Sequence, residues 1–151
     1  MAERRPGEYG DGAASHGDGG RQVADGSSEE AKRAERLRLD TLREYRIMDT
    51  PPEQAFDRVT KMVAELYEVP IALVSLLDEC RQWFKSSHGL DATETPREIS
   101  FCQYVIAEEQ PVVVTDVLSD PRFQDNPLVT GDLHIRFYAG VPLRAYNGAV
   151  L

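Results

Sequence analysis

The hydrophobic period of the chain changes at Pro70, and this change limits the fold class more than any other feature. Before Pro70, apolar residues recur every three or four positions, which is typical of amphipathic helices. Residues 71–77 then form a continuous apolar run, as expected of a strand covered on both faces. After a turn at 78–81, residues 82–86 return as a second strand. This order predicts an α+β domain with one antiparallel sheet.

Two helices are predicted ahead of the strands. The first covers residues 28–48. The second begins with Thr50 as N-cap, Pro51 at the first helical position and Glu53 closing a capping box, and it ends by Pro70. The apolar residues expected to pack are Leu37, Leu42 and Tyr45 in the first helix and Phe56, Val59, Met62, Val63 and Leu66 in the second.

The elements after the hairpin are shorter. Residues 91–98 are polar and aperiodic, which indicates a loop, and Ser100 is expected to cap a short helix. Strands are predicted at 111–114 and 135–143. A turn signal at 146–148 is followed by only three residues of a strand, so we expect a domain that lacks its final strand and helix.

The first 27 residues differ in composition from the rest. They hold seven of the eleven glycines and no Leu, Ile, Phe or Trp, so they cannot bury enough apolar surface to order themselves. The sequence therefore predicts three parts. These are a disordered acidic and Gly-rich leader (1–27), an amphipathic signalling or dimerisation helix (28–48) and one domain (49–151).

Composition excludes several function classes. A chain of 151 residues that is 41% hydrophobic has room for one core. A net charge of -9 disfavours nucleic acids and anionic membranes as partners, and no apolar run approaches the roughly 20 residues of a membrane span. Cys80 and Cys102 are too few for a disulfide scaffold, so we expect reduced thiols in a cytoplasmic protein. The sequence requires no metal and no cofactor.

Several separated motifs together resemble one group of GAF domains. They are Asp49-Thr-Pro-Pro-Glu53 with Phe56-Asp57, Gln82-Trp-Phe-Lys-Ser86, Ser100-Phe-Cys102, Asp120-Pro-Arg-Phe123 and Ile135-Arg-Phe-Tyr-Ala-Gly140. This group lies at the N-terminus of bacterial sensor histidine kinases and diguanylate cyclases. The resemblance implies a GAF/PAS-like antiparallel sheet flanked by helices, a homodimer and a small-molecule ligand. One departure is Gln103-Tyr104, where the group usually has a histidine.

The candidate site is a pocket between the sheet and the crossing loops, holding an apolar cleft with a few polar groups. Its candidate residues are Trp83, Phe84, Lys85, Phe101, Cys102, Asp116, Arg136 and Tyr138. Ordinary packing of the aromatic residues is an open alternative. Asp116 and Arg136 need a partner, a ligand or water, and Cys102 at a helix start is either an activated thiol or a small buried hydrophobe.

The chain has no Gly-rich phosphate loop, nucleophile elbow or kinase signature. We therefore predict a regulatory or ligand-binding module of two-component or related signal transduction, not an enzyme, which dimerises through the helix at 28–48. The alternative is a thiol-dependent redox enzyme that resembles the stand-alone GAF-fold free methionine sulfoxide reductases.

Overall fold

The computed structural model describes residues 20–151, with side chains from residue 28 onward. The predicted leader falls outside the described residues over 1–19. The helices are α1 (Gly20–Tyr45), α2 (Gln54–Tyr67), α3 (Cys102–Glu108) and α4 (Pro127–Thr130), with a 3-10 turn at Arg97–Ile99. The strands are β1 (Ala72–Leu77), β2 (Arg81–His88), β3 (Glu94–Pro96), β4 (Val112–Val114) and β5 (Tyr138–Gly140). The predicted α+β class is confirmed.

The strands form two antiparallel sheets, β1-β2-β3 and β4-β5, where the sequence predicted one. β5 pairs with β4 alone, and the predicted strand at 135–143 is reduced to three residues. The β1–β2 hairpin is confirmed, with Leu76 opposite Trp83. The Asp78 carboxylate closes its turn by accepting the N–H groups of Cys80 and Arg81, each at 2.8 Å. The predicted loop at 91–98 contains the short strand β3.

Two apolar clusters hold these elements together. The larger lies around α3 and β4 and includes Phe101 and Phe123, whose ring centroids are 4.5 Å apart. The smaller joins Leu42 of α1 to Leu76 and Trp83 of the hairpin. The turn after β2 requires a glycine at position 89. Gly89 has φ 74°, and a Cβ there would lie 1.8 Å from the Pro70 carbonyl oxygen.

Helix α1 differs from its prediction at both ends. It begins at Gly20, so residues 20–27 of the predicted disordered leader are helical. Once a helix is nucleated, each further residue adds a hydrogen bond at little cost, which lets α1 extend beyond its apolar part. It ends at Tyr45, because Arg46 adopts a left-handed conformation with φ 48°. Leu42 packs on the domain, whereas Leu37 is 53% exposed.

Helix α2 corrects two further expectations. It begins at Gln54, and Glu53 is the N-cap without a side-chain hydrogen bond, so the predicted capping box is wrong. The Thr50 hydroxyl instead donates to the Ile47 carbonyl at 2.6 Å and accepts a hydrogen bond from Lys85 at 2.7 Å. These partners compete with the helix N-terminus for the hydroxyl and leave residues 51–53 outside the helix.

The side of α2 that faces the sheet is also not the predicted one. The buried residues are Thr60 and Ala64, whereas the predicted apolar side is largely exposed. The Ser86 hydroxyl lies 2.9 Å from Thr60 Oγ1 and donates to Asp57 at 2.7 Å, and these contacts fix the rotation of the helix. Within residues 20–151, no helix is both long and apolar enough to span a bilayer.

Candidate functional site

The predicted site residues lie in three separate groups rather than around one pocket. Side chains alternate between the two faces of a strand, so Trp83 and Lys85 share the face toward α1 and α2, while Gln82 points toward α3. The members of each group are Trp83 and Lys85 on the first face, Phe101, Cys102 and Tyr138 at α3, and Asp116 and Arg136 in the loops around β5. Phe84 is buried next to Trp83.

Cys102 is the central residue of the α3 group. Its sulfur accepts hydrogen bonds from Gln82 Nε2 at 3.1 Å, the Tyr138 hydroxyl at 3.4 Å and the Ser75 hydroxyl at 3.5 Å. The four residues come from α3, β2, β5 and β1, so this thiol connects both sheets. The Cys102 N–H donates to Ser100 Oγ at 3.1 Å, but the N-cap of α3 is Phe101, without a side-chain hydrogen bond, so Ser100 lies one residue before the predicted cap position.

Two of these partners were missed from the sequence. Ser75 lies inside the apolar run of β1, and Gln82 precedes the aromatic pair of β2. A polar side chain on a buried strand must find a hydrogen-bond partner, so both positions carried a usable signal. The sequence could not say that the partner of both is one sulfur atom on a helix 20 or more residues away.

Tyr138 is held as a hydrogen-bond donor. Burial, and next to it the neighbouring Cys102, raise the pKa of Tyr138 above its ordinary value, so its hydroxyl stays protonated. The ring packs edge-on against Phe101, with centroids 5.2 Å apart. Gly140 provides the room for this arrangement, because a Cβ there would lie 2.3 Å from the Tyr138 hydroxyl.

Lys85 is occupied by the chain itself. Its fully buried ammonium group donates to Thr50 Oγ1 at 2.7 Å and to the Pro51 carbonyl at 2.8 Å, and it pairs with Glu53 at 2.7 Å. It also lies 5.4 Å from the centre of the Phe56 ring. Because an ammonium group has three donors, these contacts use all of them and lock the loop before α2 to the sheet.

Asp116 and Arg136 form hydrogen bonds with nearby groups of the loops in which they lie. The Asp116 carboxylate accepts the Ser119 hydroxyl at 2.6 Å and the Leu118 N–H at 3.1 Å, and these hydrogen bonds lower the pKa of Asp116. Arg136 donates to the carbonyl of Val129 at 3.1 Å. These contacts explain both charges without a ligand.

An unpredicted ion network connects α1 to the hairpin. Arg38 is buried and donates to the Leu77 carbonyl at 2.6 Å and to Glu35 at 2.8 and 2.9 Å. Glu35 also accepts from Arg97 at 2.7 Å, and Arg97 donates to the Asp78 carbonyl at 2.7 Å. Burial favours the neutral acid, but hydrogen bonds from Arg38 and Arg97 outweigh it and lower the pKa of Glu35 to about 2.

Comparison with known proteins identifies the family. The GAF domain model matches residues 51–151. The chain belongs to the GAF domain family. This GAF chain is 43% identical over 102 residues to a cyclic di-GMP phosphodiesterase of Pseudomonas aeruginosa. The match covers 68% of the chain but 17% of that protein, so the chain spans about a sixth of its relative.

Two solved structures share the fold with a TM-score of 0.50 each. One is a type II free methionine-R-sulfoxide reductase from Thermoplasma acidophilum, 13% identical, over 78% of this chain and 72% of that one. The other is the GAF domain of an Acinetobacter phosphoenolpyruvate-protein phosphotransferase, 22% identical, over 76% and 72%. The prediction that the chain is not an enzyme is contradicted, because the phosphodiesterase and the reductase are both enzymes.

Proposed function

We propose that this GAF domain is the sensory part of a bacterial cytoplasmic signalling enzyme that acts on cyclic di-GMP and works as a homodimer. The observation that carries the proposal is the 43% identity to a much longer cyclic di-GMP phosphodiesterase. The match covers 17% of that protein, so the chain corresponds to one part of such an enzyme. A kinase or cyclase output remains a prediction from the sequence.

The ligand site of this sensor is the group of Ser75, Gln82, Cys102 and Tyr138. These polar side chains converge from both sheets and α3 next to the Phe101 ring, which is the mix of convergent polar groups and apolar wall that small molecules need. A ligand with a hydrogen-bond acceptor replaces the sulfur as the partner of the Tyr138 hydroxyl. The displaced contacts then change how β1 and β5 are held together.

The test is a thermal-shift screen of nucleotides and metabolites, since a ligand that binds the folded state raises the melting temperature. We expect at least one compound to stabilise the protein and Tyr138→Phe to remove that effect. Tyr146→Phe is the matched control, because Tyr146 is 79% exposed and its hydroxyl donates to Glu44 of α1 rather than to Cys102. A ligand that stabilises wild type and Tyr138→Phe equally binds at another site, and the assignment of the ligand site to this group would be wrong.

Thiol-dependent sulfoxide reduction is the second candidate function. The observation in its favour is a partly exposed Cys102 whose sulfur has three donors around it. The Cys102 thiolate would attack the sulfoxide sulfur, and the sulfoxide oxygen would leave as water after taking up two protons. One thiol of an added dithiol would then attack the Cys102 sulfur and release methionine, and its second thiol would break the mixed disulfide, which returns the Cys102 thiol and leaves the dithiol oxidised. Turnover of free methionine sulfoxide that Cys102→Ser abolishes and Cys80→Ser retains would support it. Equal turnover in both variants would exclude it.

A further inference from the structure

Helix α2 carries an apolar stripe on its solvent side. The stripe consists of Val59, Met62 and Leu66, which are 44%, 57% and 69% exposed. Spacings of three and four residues place them on one side of the helix, away from the buried Thr60 and Ala64. Single exposed apolar residues are common, but a contiguous row of large ones on one helix indicates a contact surface.

The charges beside the α2 stripe are divided along the helix. Arg58 and Lys61 lie toward its N-terminus, and Glu65 and Glu68 lie toward its C-terminus. Their contacts within the chain are weak: Arg58 donates to Gln54 at 3.4 Å, and Lys61 lies 3.8 Å from Glu65 with both side chains 68% exposed. A groove of about 240 Å³ lies at the basic end, lined by Gln54, Asp57, Arg58 and Lys61.

This pattern is self-complementary in one orientation. When two copies of α2 pack antiparallel, Val59 meets the partner's Met62, and the two-fold axis repeats the contact. The same arrangement places the partner's Glu65 at Arg58, at the edge of the basic groove. Opposite charges meet on the flank, whereas a parallel arrangement would place like charges together.

We propose that the α2 stripe is a self-association surface on which a second copy of this chain packs antiparallel. The proposal rests on the homodimer of the proposed function and assigns its surface to α2. Helix α1 offers less, because Leu42 is used in the domain core and the exposed large apolar residues of α1, Leu37 and Tyr45, are more than two helical turns apart. A single helix pair buries less area than a standard interface, so the dimer is weak and forms at micromolar concentration.

Sedimentation velocity of the full chain over a micromolar concentration series tests the surface. We expect a reversible dimer that Met62→Asp weakens by about tenfold or more, as for a residue at the centre of an interface. Leu37→Asp is the matched control, since Leu37 is exposed to a similar degree on α1. Both variants should melt at the same temperature as wild type, because neither side chain is in the core.

The outcomes separate the surface from the dimer. A dimer that Leu37→Asp disrupts and Met62→Asp leaves intact would overturn the α2 assignment while the homodimer stands. A wild-type monomer over the whole concentration series would overturn both.

Charge reversal tests the antiparallel register. Arg58→Glu alone brings two carboxylates together and Glu65→Arg alone brings two guanidinium groups together, so each should weaken the dimer several-fold. The double variant restores opposite charges and should recover wild-type affinity. If the double variant loses as much dimer affinity as the two single variants together, Arg58 and Glu65 do not meet across the interface. The antiparallel arrangement would then be wrong.

Discussion

The side of the domain that holds α3 (the α3 face) and the side where α1 and α2 contact the β1–β2 hairpin (the α1–α2 face) are stabilised by different kinds of contact. On the α3 face, aromatic rings and valines pack closely around Phe123, which is fully buried. On the α1–α2 face, much of the contact is polar: Lys85 binds the loop before α2, and Arg38 binds the end of β1. Apolar burial is non-directional and strong, whereas charged hydrogen bonds depend on geometry and pH.

This difference suits a domain that passes on a signal. The α3 face can keep its structure while the α1–α2 face changes its contacts, since local stability follows the amount of apolar packing. The Cys102 sulfur accepts hydrogen bonds from β1, β2 and β5. It therefore lies between the α3 face and the two strands, β1 and β2, that α1 contacts. Under the proposed function, a ligand bound at this group would act on α1 through β1.

The largest effect is expected from breaking the α3 face. Phe123→Ala removes a ring that contacts Phe101 at 4.5 Å and Tyr104 at 4.9 Å between centroids. A cavity of this kind costs about 3–5 kcal/mol of unfolding free energy, measured by urea denaturation. Phe137→Ala is the control, because Phe137 is 48% exposed and its loss should cost less than about 0.5 kcal/mol. Similar costs for the two would mean that Phe123 is not central to this core.

A smaller loss is expected when the polar face is broken at Lys85. Lys85→Met keeps the apolar stem but leaves the Thr50 hydroxyl and the Pro51 carbonyl without their donor. Unsatisfied buried groups of this kind cost about 1–3 kcal/mol each before relaxation, and solvent can reach the loop, so we expect a total near the low end. Urea denaturation and proteolysis of residues 50–53 measure it. Lys61→Met, which removes an exposed lysine from α2, should change neither.

The contrast between the two faces also explains what the sequence could predict. Apolar periods identified β1, β2, α2 and the class of the fold, because burial follows pattern. The rotation of α2 was predicted wrongly, since Thr60 and Asp57 contact Ser86 by hydrogen bonds that hydropathy does not encode. Lys85 was taken for a ligand-binding residue because its partners, Thr50 and Glu53, lie more than 30 residues away and were assigned to a helix cap.

The grouping of the candidate site residues was predicted in part for the same reason. Phe101, Cys102 and Tyr138 do lie together, as expected from the sequence. Ser75 and Gln82 complete the group, but their role depends on the pairing of β1 with β2 and on where α3 crosses them. Such long-range placement is a property of the tertiary structure, and no local pattern of residues contains it.

The smallest predicted effect is a pH dependence of the contact between α1 and the hairpin. The pKa of Glu35 falls from an ordinary 4.5 to about 2 in the folded chain, so its ion pairs stabilise the structure above pH 4.5. That contribution is lost as the pH falls from 4.5 toward 2, because the unfolded chain then binds the proton more readily. Trp83, the only tryptophan, packs with Leu42 of α1, so its fluorescence reports the release of the helix.

Glu35→Gln isolates this titration from those of the other carboxyl groups. The amide oxygen can still accept from Arg38 and Arg97, but the amide nitrogen replaces the oxygen that accepts the Arg38 Nε–H, and the charge is gone. The variant should therefore be less stable than wild type at neutral pH and approach it near pH 2. Glu29→Gln is the control, since Glu29 pairs with Lys32 on an exposed part of α1. If Trp83 fluorescence in Glu35→Gln still follows the wild-type acid transition, another carboxyl group controls the docking of α1. The ion network would then hold α1 in place without making it sensitive to pH.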